Sequence, residues 1–569
     1  MTRPNLALTA LTALSALTLA AGVGACGADF NDGGGSSFSD TSNWTSADTT
    51  GGGTSAADTW SSGGGIDAVA DASGPDIGPP PPPEQEVDYD LRTPEAGARY
   101  LYIPSAGLDA LVVVDATTLA VSLVDVGVAP TLVRALPQDR GAVVLNSGSD
   151  DVSIVRPDGA GGFRVRTLDV LPRHNRLELS PDGRFAFAFY DTRAGGAAGS
   201  LQDVNAVRLA AGDEAVLNVA VGLRPTELIF KESGQLALFF CENGISGIRL
   251  DELVGDTFLP PVAVKANPFE KPIDREIVVT PEGRLAVVRD LNAPVLTLVD
   301  LQTAARSTLP LADWPSDLEM TPDGGTVIVP MKASAQVAIV AVPEAFAWEA
   351  PEPEVPAEGG VDGEEPVAAP ENPYVTLVPT GAAFGSASMT SDGGRALLFT
   401  TERGTKAVGM LDLGSAQAFL QPTPKEVVSV LVSPDGRMAA LIHRDANDDA
   451  ADLRNVPAYT LLDLATGYAK LVTVADPVTK VIFTADSSEL FALMPGSSGG
   501  RGLVHRVSTT SFAVIDYETP MAPVYVGAMP AVSKVAIALD DPSGWITFVD
   551  TDDGQVSQVN SFELNSFIR

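Results

Sequence analysis

The sequence predicts an all-β protein, a β-propeller of four-stranded blades with about ten repeat units. Three observations lead there. A Pro-Asp-Gly-like turn recurs along most of the chain. A short, continuously apolar run follows each turn. A second apolar run then ends in Asp and further turn residues. Four short strands in roughly 40–45 residues is the period of a propeller blade.

The turn reads Ser180-Pro-Asp-Gly-Arg184, Thr280-Pro-Glu-Gly-Arg284, Thr321-Pro-Asp-Gly-Gly325, Thr390-Ser-Asp-Gly-Gly394 and Ser433-Pro-Asp-Gly-Arg437. Weaker copies are Leu136-Pro-Gln-Asp-Arg140, Lys231-Glu-Ser-Gly-Gln235 and Thr484-Ala-Asp-Ser-Ser488. Successive starts lie 44, 51, 49, 41, 69, 43 and 51 residues apart. The 69 includes an acidic, Pro-rich stretch at 349–373; without those 25 residues it becomes 44. The stretch interrupts one unit between its Asp-ended strand and the next, which suits a surface loop better than a link between two rings. Pro presets φ for the first corner, Asp bonds its own backbone, and Gly supplies φ > 0.

The runs after the turns do not alternate: Phe185-Ala-Phe-Ala-Phe189, Leu285-Ala-Val-Val288, Ala396-Leu-Leu-Phe399, Leu490-Phe-Ala-Leu-Met494. Strands covered on both faces have this character, as they would between neighbouring blades. The Asp-ended strands close in Val114-Asp115, Val299-Asp300, Leu462-Asp463 and Val549-Asp550. These aspartates are expected to cap turns rather than hold ligands. The last stretch, Val556 to Arg569, is expected to supply the strand that closes the ring.

The repeats occupy 99–569. Ahead of them, residues 1–25 combine Arg3, an uncharged Leu/Ala-rich segment and a small-residue end, the parts of a secretory signal. Residues 26–98 follow, rich in Gly, Ser, Thr, Asp and Pro, with five prolines at 79–83. Such a segment cannot bury enough apolar surface to offset its ordering entropy, so it is expected to be a disordered tether.

Composition limits the partners. The 569 residues carry 73 Asp and Glu against 36 Lys and Arg, a net charge of −37. Phosphate backbones need a basic surface, so nucleic acid is excluded as an expected partner. Anionic lipid heads are likewise repelled, so membrane contact needs a separate anchor. Only two cysteines occur. Cys241, in Leu236-Ala-Leu-Phe-Phe-Cys241, reads as a buried strand residue.

No catalytic motif stands out. His174, His443 and His505 fall in different repeats without metal-ligand or dyad spacing. No P-loop, dinucleotide fingerprint or nucleophile elbow is present in its strand–turn–helix setting. One cluster, Asp445-Ala-Asn447-Asp448-Asp449, places Asp445, Asn447 and Asp449 at alternate positions, a weak calcium candidate. An EF-hand-like loop would need Gly at Ala450 and Glu at Val456, so that match fails. A solvated loop is the plainer reading.

Two resemblances add to this. Val23-Gly24-Ala25-Cys26 resembles the lipobox of bacterial lipoproteins. It implies cleavage before Cys26, lipidation of its thiol, and anchoring of the protein in the cell envelope. Gly27, where Asp would imply inner-membrane retention, implies the outer membrane. The turns and the Asp-ended strands resemble bacterial WD40-like and YVTN-type repeats over most of 99–569, although a literal Tyr-Val-Thr-Asn and the Trp-Asp ending are both absent. That resemblance implies the propeller and little about activity.

The expected role is therefore a membrane-tethered, non-catalytic binding or scaffolding module facing an envelope protein or a small ligand. The alternatives are a hydrolase resembling propeller lactonases and a calcium-stabilised surface protein. Converging carboxylates, Arg and His in the central channel would favour the enzyme. Small and apolar channel residues would favour binding.

Overall fold

The computed structural model describes residues 89–562, apart from 197, 269, 271–273, 292, 344–347, 349–371, 445–455 and 497–500. The expected signal segment at 1–25, Cys26, most of the expected tether, and Asp445, Asn447 and Asp449 lie outside the described residues. Ten antiparallel sheets follow one another in chain order, and eight are simple four-stranded meanders. We number them blades 1 to 10: 95–125, 130–169, 176–220, 225–249, 276–310, 319–379, 386–422, 427–473, 480–519 and 523–560.

Each blade steps outward strand by strand. In blade 5, Glu276–Val279 pairs with Leu285–Arg289, then Val295–Asp300, then Arg306–Pro310. The second strand is wholly buried (Leu285–Arg289) and the fourth is mostly exposed. This explains the non-alternating runs, because both faces of each middle strand meet a neighbouring blade. The Pro-Asp-Gly turns join first to second strands. In blade 3, Asp182 Oδ1 accepts from the Arg184 N–H at 3.0 Å, and Ser180 Oγ accepts from the Phe185 N–H at 3.0 Å. Gly183 stands at φ +64, the left-handed conformation the turn requires.

One apolar cluster fills every gap between neighbours. Phe187 of blade 3 meets Phe239 of blade 4 at 5.6 Å, edge to face. Equivalent clusters join blades 1–2, 2–3, 4–5, 5–6, 6–7, 7–8, 8–9 and 9–10. The tenth joins blade 10 to blade 1 through Phe548, Met529, Leu101 and Val114. The described residues thus form one closed ring of ten blades, larger than the usual four to eight.

Three sequence expectations need correction. Among the described residues of the last stretch, Val556–Asn560 exchanges no strand across the seam but pairs with Trp545–Asp550 inside blade 10, and residues 563–569 lie outside the described residues. Blade 1 is complete without it, so the seam closes on side chains instead. Phe562 packs edge to face on Tyr89 at 6.3 Å. The folded body also begins before residue 99. Tyr89 is buried, and Glu95–Ala96 is the first strand of blade 1. Its short, polar sequence hid it within the tether composition.

Blade 4, finally, lacks a fourth strand. The chain after Arg249 instead sends Thr257–Phe258 to pair in parallel with blade 3, and returns through a single Ile245–Val262 bridge. Pro260 and Pro261 fall where the missing strand would pair, and proline has no N–H to give the ladder. The stretch at 349–373 lies between Gln336–Ala341 and Val375–Pro379, which pair within blade 6, so both of its ends belong to one sheet.

Candidate functional site

Strand direction divides the ring into two faces. First-to-second and third-to-fourth connections share one face, which is paved with tight turns. The opposite face carries the second-to-third loops and the longer passages between blades. Loops of that kind position recognition groups.

The first strands form the inner wall. Counted back from each turn's opening residue, two positions recur on one side of that strand. Two before the turn stand Glu95, Arg134, Glu178 and Glu319 in blades 1, 2, 3 and 6. Four before it stand Glu227, Glu276, Asp317 and Lys480 in blades 4, 5, 6 and 9. Blade 7 offers Ser386 and Ser388 there, and blade 10 has Gly527. Carboxylates thus run from blade 3 to blade 6. Along this arc burial raises the carboxyls of Glu227, Glu276 and Glu319.

Glu319 is the extreme case. Burial raises its carboxyl most, and the neighbouring Asp317 and Glu276 charges add to this, to about 8. Burial also raises Glu276, helped by the Asp317 charge; Arg289 opposes, with Nε 2.7 Å from Glu276 Oε2. Asp317 is raised by burial too, but its oxygens accept the Leu318 N–H at 3.0 Å and the Ala387 N–H at 2.7 Å. With Asp317 held by two backbone donors, Glu276 is the partner that carries the proton between them. Glu227 is raised by burial against the pull of Arg193, and Glu95 by burial against Arg134. Arg134 reaches Glu178 across the blade 2–3 gap at 3.4 Å. Lys480 lies over the Tyr525 ring at 5.2 Å, and Tyr525 Oη accepts the Ala96 N–H at 3.0 Å.

The three histidines are not part of this wall. His174 Nε2 bonds Asn205 Oδ1 at 2.8 Å, His443 Nε2 bonds Thr460 Oγ1 at 2.7 Å, and His505 Nδ1 bonds the Tyr459 hydroxyl at 3.0 Å. In each case the partner lies on a third strand, so the ring ties loop or strand to blade interior. Burial holds all three below the usual histidine range, His443 down to about 4. They are neutral structural groups. Cys241 is buried in its strand, and burial pushes its thiol up to about 12.

The strand-ending aspartates cap turns as expected. Asp300 Oδ1 accepts the N–H groups of Gln302 and Thr303 at 2.8 and 3.0 Å, and Asp463 does the same for Ala465 and Thr466. Burial would raise Asp300, but these donors and Arg284 outweigh it and hold the carboxyl low. Among the described residues, no group of three or more His, Cys, Asp or Glu side chains is placed to hold a metal ion.

No protein-family model matches the chain, and no curated protein matches it. Solved structures resemble it distantly. Hydrazine synthase of Kuenenia stuttgartiensis is 15% identical, covering 51% of this chain and 80% of its own, with a TM-score of 0.31. AztD of Citrobacter koseri, in its apo form, is 14% identical over 66% of this chain and 92% of its own, at 0.37. A eukaryotic initiation factor is 13% identical over 73% and 95%, at 0.46. Their roles differ from one another, and the ten-bladed ring stands on the strand pairing described above.

The inner-wall carboxylates fall in no recognisable motif, so the sequence does not single them out. The signal was available all the same. Aligning the repeats on their turns places Glu178 and Glu319 in one column, and Glu227, Glu276 and Asp317 in another. Chemically, this wall can attract cations, and it can hold or release a proton near neutral pH.

Proposed function

We propose that this protein is a lipid-anchored binding protein of the cell envelope, tethered through Cys26, whose propeller holds a ligand bearing several positive charges along the inner wall of blades 3–6. The observation that carries the reading is the arc of Glu178, Glu227, Glu276, Asp317 and Glu319, five carboxylates beside three guanidinium groups: Arg134 at Glu178, Arg193 near Glu227 and Arg289 at Glu276. Arg289 lies among them, but its guanidinium is also engaged by Asp274 at 3.3 Å. A cationic ligand would relieve the cost of burying those charges. The tether and the acidic body fit a binder held near, but not on, an anionic membrane.

Isothermal titration of the full chain with spermidine tests this. Binding is expected, tightening as pH rises through about 8 as Glu319 loses its proton. The Glu276→Gln/Glu319→Gln pair should weaken it at least about tenfold. Undiminished binding by that variant would overturn the assignment. Fractionation of cells carrying Cys26→Ala tests the anchor: the protein should leave the membrane fraction.

A second reading has one observation in its favour. Glu319 holds a proton near neutrality, the property a general acid needs. A lactone hydrolase is therefore the alternative. Hydrolysis of simple lactones, lost in Glu319→Gln without loss of fold, would replace binding with catalysis.

A further inference from the structure

The first strand of blade 6 is held less by its own blade than by its neighbours. It spans only Glu319–Met320, against four residues in Glu276–Val279 of blade 5 and in Ser386–Met389 of blade 7. The cause is Pro330. In the register that pairs Glu319 with Ile328 and Met320 with Val327, Pro330 falls opposite Asp317. Its carbonyl accepts the Ser316 N–H at 2.9 Å, but it has no N–H to return, so the ladder stops there. Pro94 likewise interrupts the inner strand of blade 1, between its pairings at Leu91 and at Glu95–Ala96.

Asp317 is tied sideways instead. Its Oδ2 accepts the Ala387 N–H of blade 7 at 2.7 Å, and its carboxylate is hydrogen-bonded to the Glu276 carboxyl of blade 5. Glu276 Oε2 in turn receives Arg289 Nε at 2.7 Å. One line of contacts, Arg289–Glu276–Asp317–Ala387, thus crosses three blades at the inner wall. It needs a proton, because two carboxylates cannot hydrogen-bond each other. Both Asp317 oxygens accept backbone N–H groups, so the proton sits on Glu276. Burial first, and then the Asp317 charge, push the Glu276 carboxyl up to about 7. The proton is therefore held at mildly acid pH and lost as pH rises through neutrality. The other charged groups facing the pair do not replace it. Arg289 is also engaged by Asp274 at 3.3 Å, and Glu319 of blade 6 adds a third carboxyl. Blade 7 presents Ser386 and Ser388 beside the Ala387 N–H.

We propose that the proton shared by Glu276 and Asp317 is a latch: while it is present the first strand of blade 6 is fixed between blades 5 and 7, and its loss releases that strand. On release the proton passes to solvent, and Glu276 becomes a second carboxylate facing Asp317. The repulsion falls on the strand that has only two ladder pairs to resist it. The latch works without any ligand at the inner wall.

Hydrogen–deuterium exchange of the full chain, read by mass spectrometry, tests this. Exposure times are scaled for the faster chemical exchange of amides at higher pH. After scaling, peptides spanning 316–320 and 386–389 are expected to exchange at least about fivefold faster at about pH 8.5 than at about pH 6. Val427–Val432, the first strand of blade 8, should exchange alike at both. Glu276→Gln should abolish the difference and stay protected throughout, because its amide donates to Asp317 without titrating. Glu319→Gln should keep the difference. Equal protection of the parent at both pH values would overturn the latch. So would a difference that survives in Glu276→Gln, or one that only Glu319→Gln removes. Trp314 gives a second readout that leaves the pair untouched, since it is 49% exposed and lies three residues before Asp317. The part of the emission that Trp314→Phe removes should shift with a midpoint near the Glu276 value of about 7. An emission indifferent to pH across that range would count equally against the proposal.

Discussion

Single side chains do two opposite kinds of work in this molecule. At the turns, carboxylates are paired with backbone donors and are stabilising. Asp300, almost fully buried, accepts from two N–H groups and from Arg284 Nη2 at 3.1 Å. Asp300→Ala leaves those donors unsatisfied and should cost about 1–3 kcal/mol, measured as a lower melting temperature. On the inner wall the sign reverses. Glu319 has an ordinary value of 4.5 and rises to about 8 in the folded chain. Between those values the native state binds more protons than the unfolded one, so this residue's contribution to stability falls as pH rises. Glu319→Gln should therefore melt like the parent near pH 5 and above it at pH 9. Equal melting temperatures at both pH values would show that the carboxylate carries no burial cost.

At the scale of elements, the blade is specified twice: by its turns and by the strands they join. Where either fails, the blade changes in a readable way. Blade 4 lost its outer strand at Pro260-Pro261, and blade 1 shortened its inner strand at Pro94. The seam depends on an element that is not a strand at all. Phe562 is fully buried against Tyr89, and Gly544 lies so close that a Cβ there would stand 2.1 Å from the Phe562 ring. Phe562→Ala should cost about 3–5 kcal/mol, with a corresponding fall in melting temperature. Gly544→Ala should be comparably damaging, because φ there is +85 and no space is left for the methyl group. A seam variant with unchanged melting would mean that the ring tolerates an open junction.

For the whole molecule, charge and closure act against each other. The chain carries a net charge of −37, and the inner arc concentrates part of the ring's share, where like charges repel. Raising NaCl from about 0.05 to about 0.5 M should raise the melting temperature by screening this repulsion. A ring of nearest-neighbour interfaces also gains from closure, since each blade then has two partners rather than the end blades having one.

The sequence by itself determined the all-β class, the blade as the repeating unit, the approximate number of units, and the structural duty of the turn aspartates. These follow from local rules, because a Ser/Thr-Pro-Asp-Gly turn and a two-sided apolar strand need only their own residues to be recognised. It also placed Cys241 in a core. Three things were decided only by the tertiary structure. One is the single ring of ten with a side-chain seam, since closure depends on how Phe562 meets Tyr89 across the full length of the chain. Another is the neutral, tethering role of the histidines, which depends on partners such as Asn205 and Thr460. The last is the inner wall, because Glu178, Glu227, Glu276, Asp317 and Glu319 stand in four different blades and become one site only when the ring brings their first strands around a common axis.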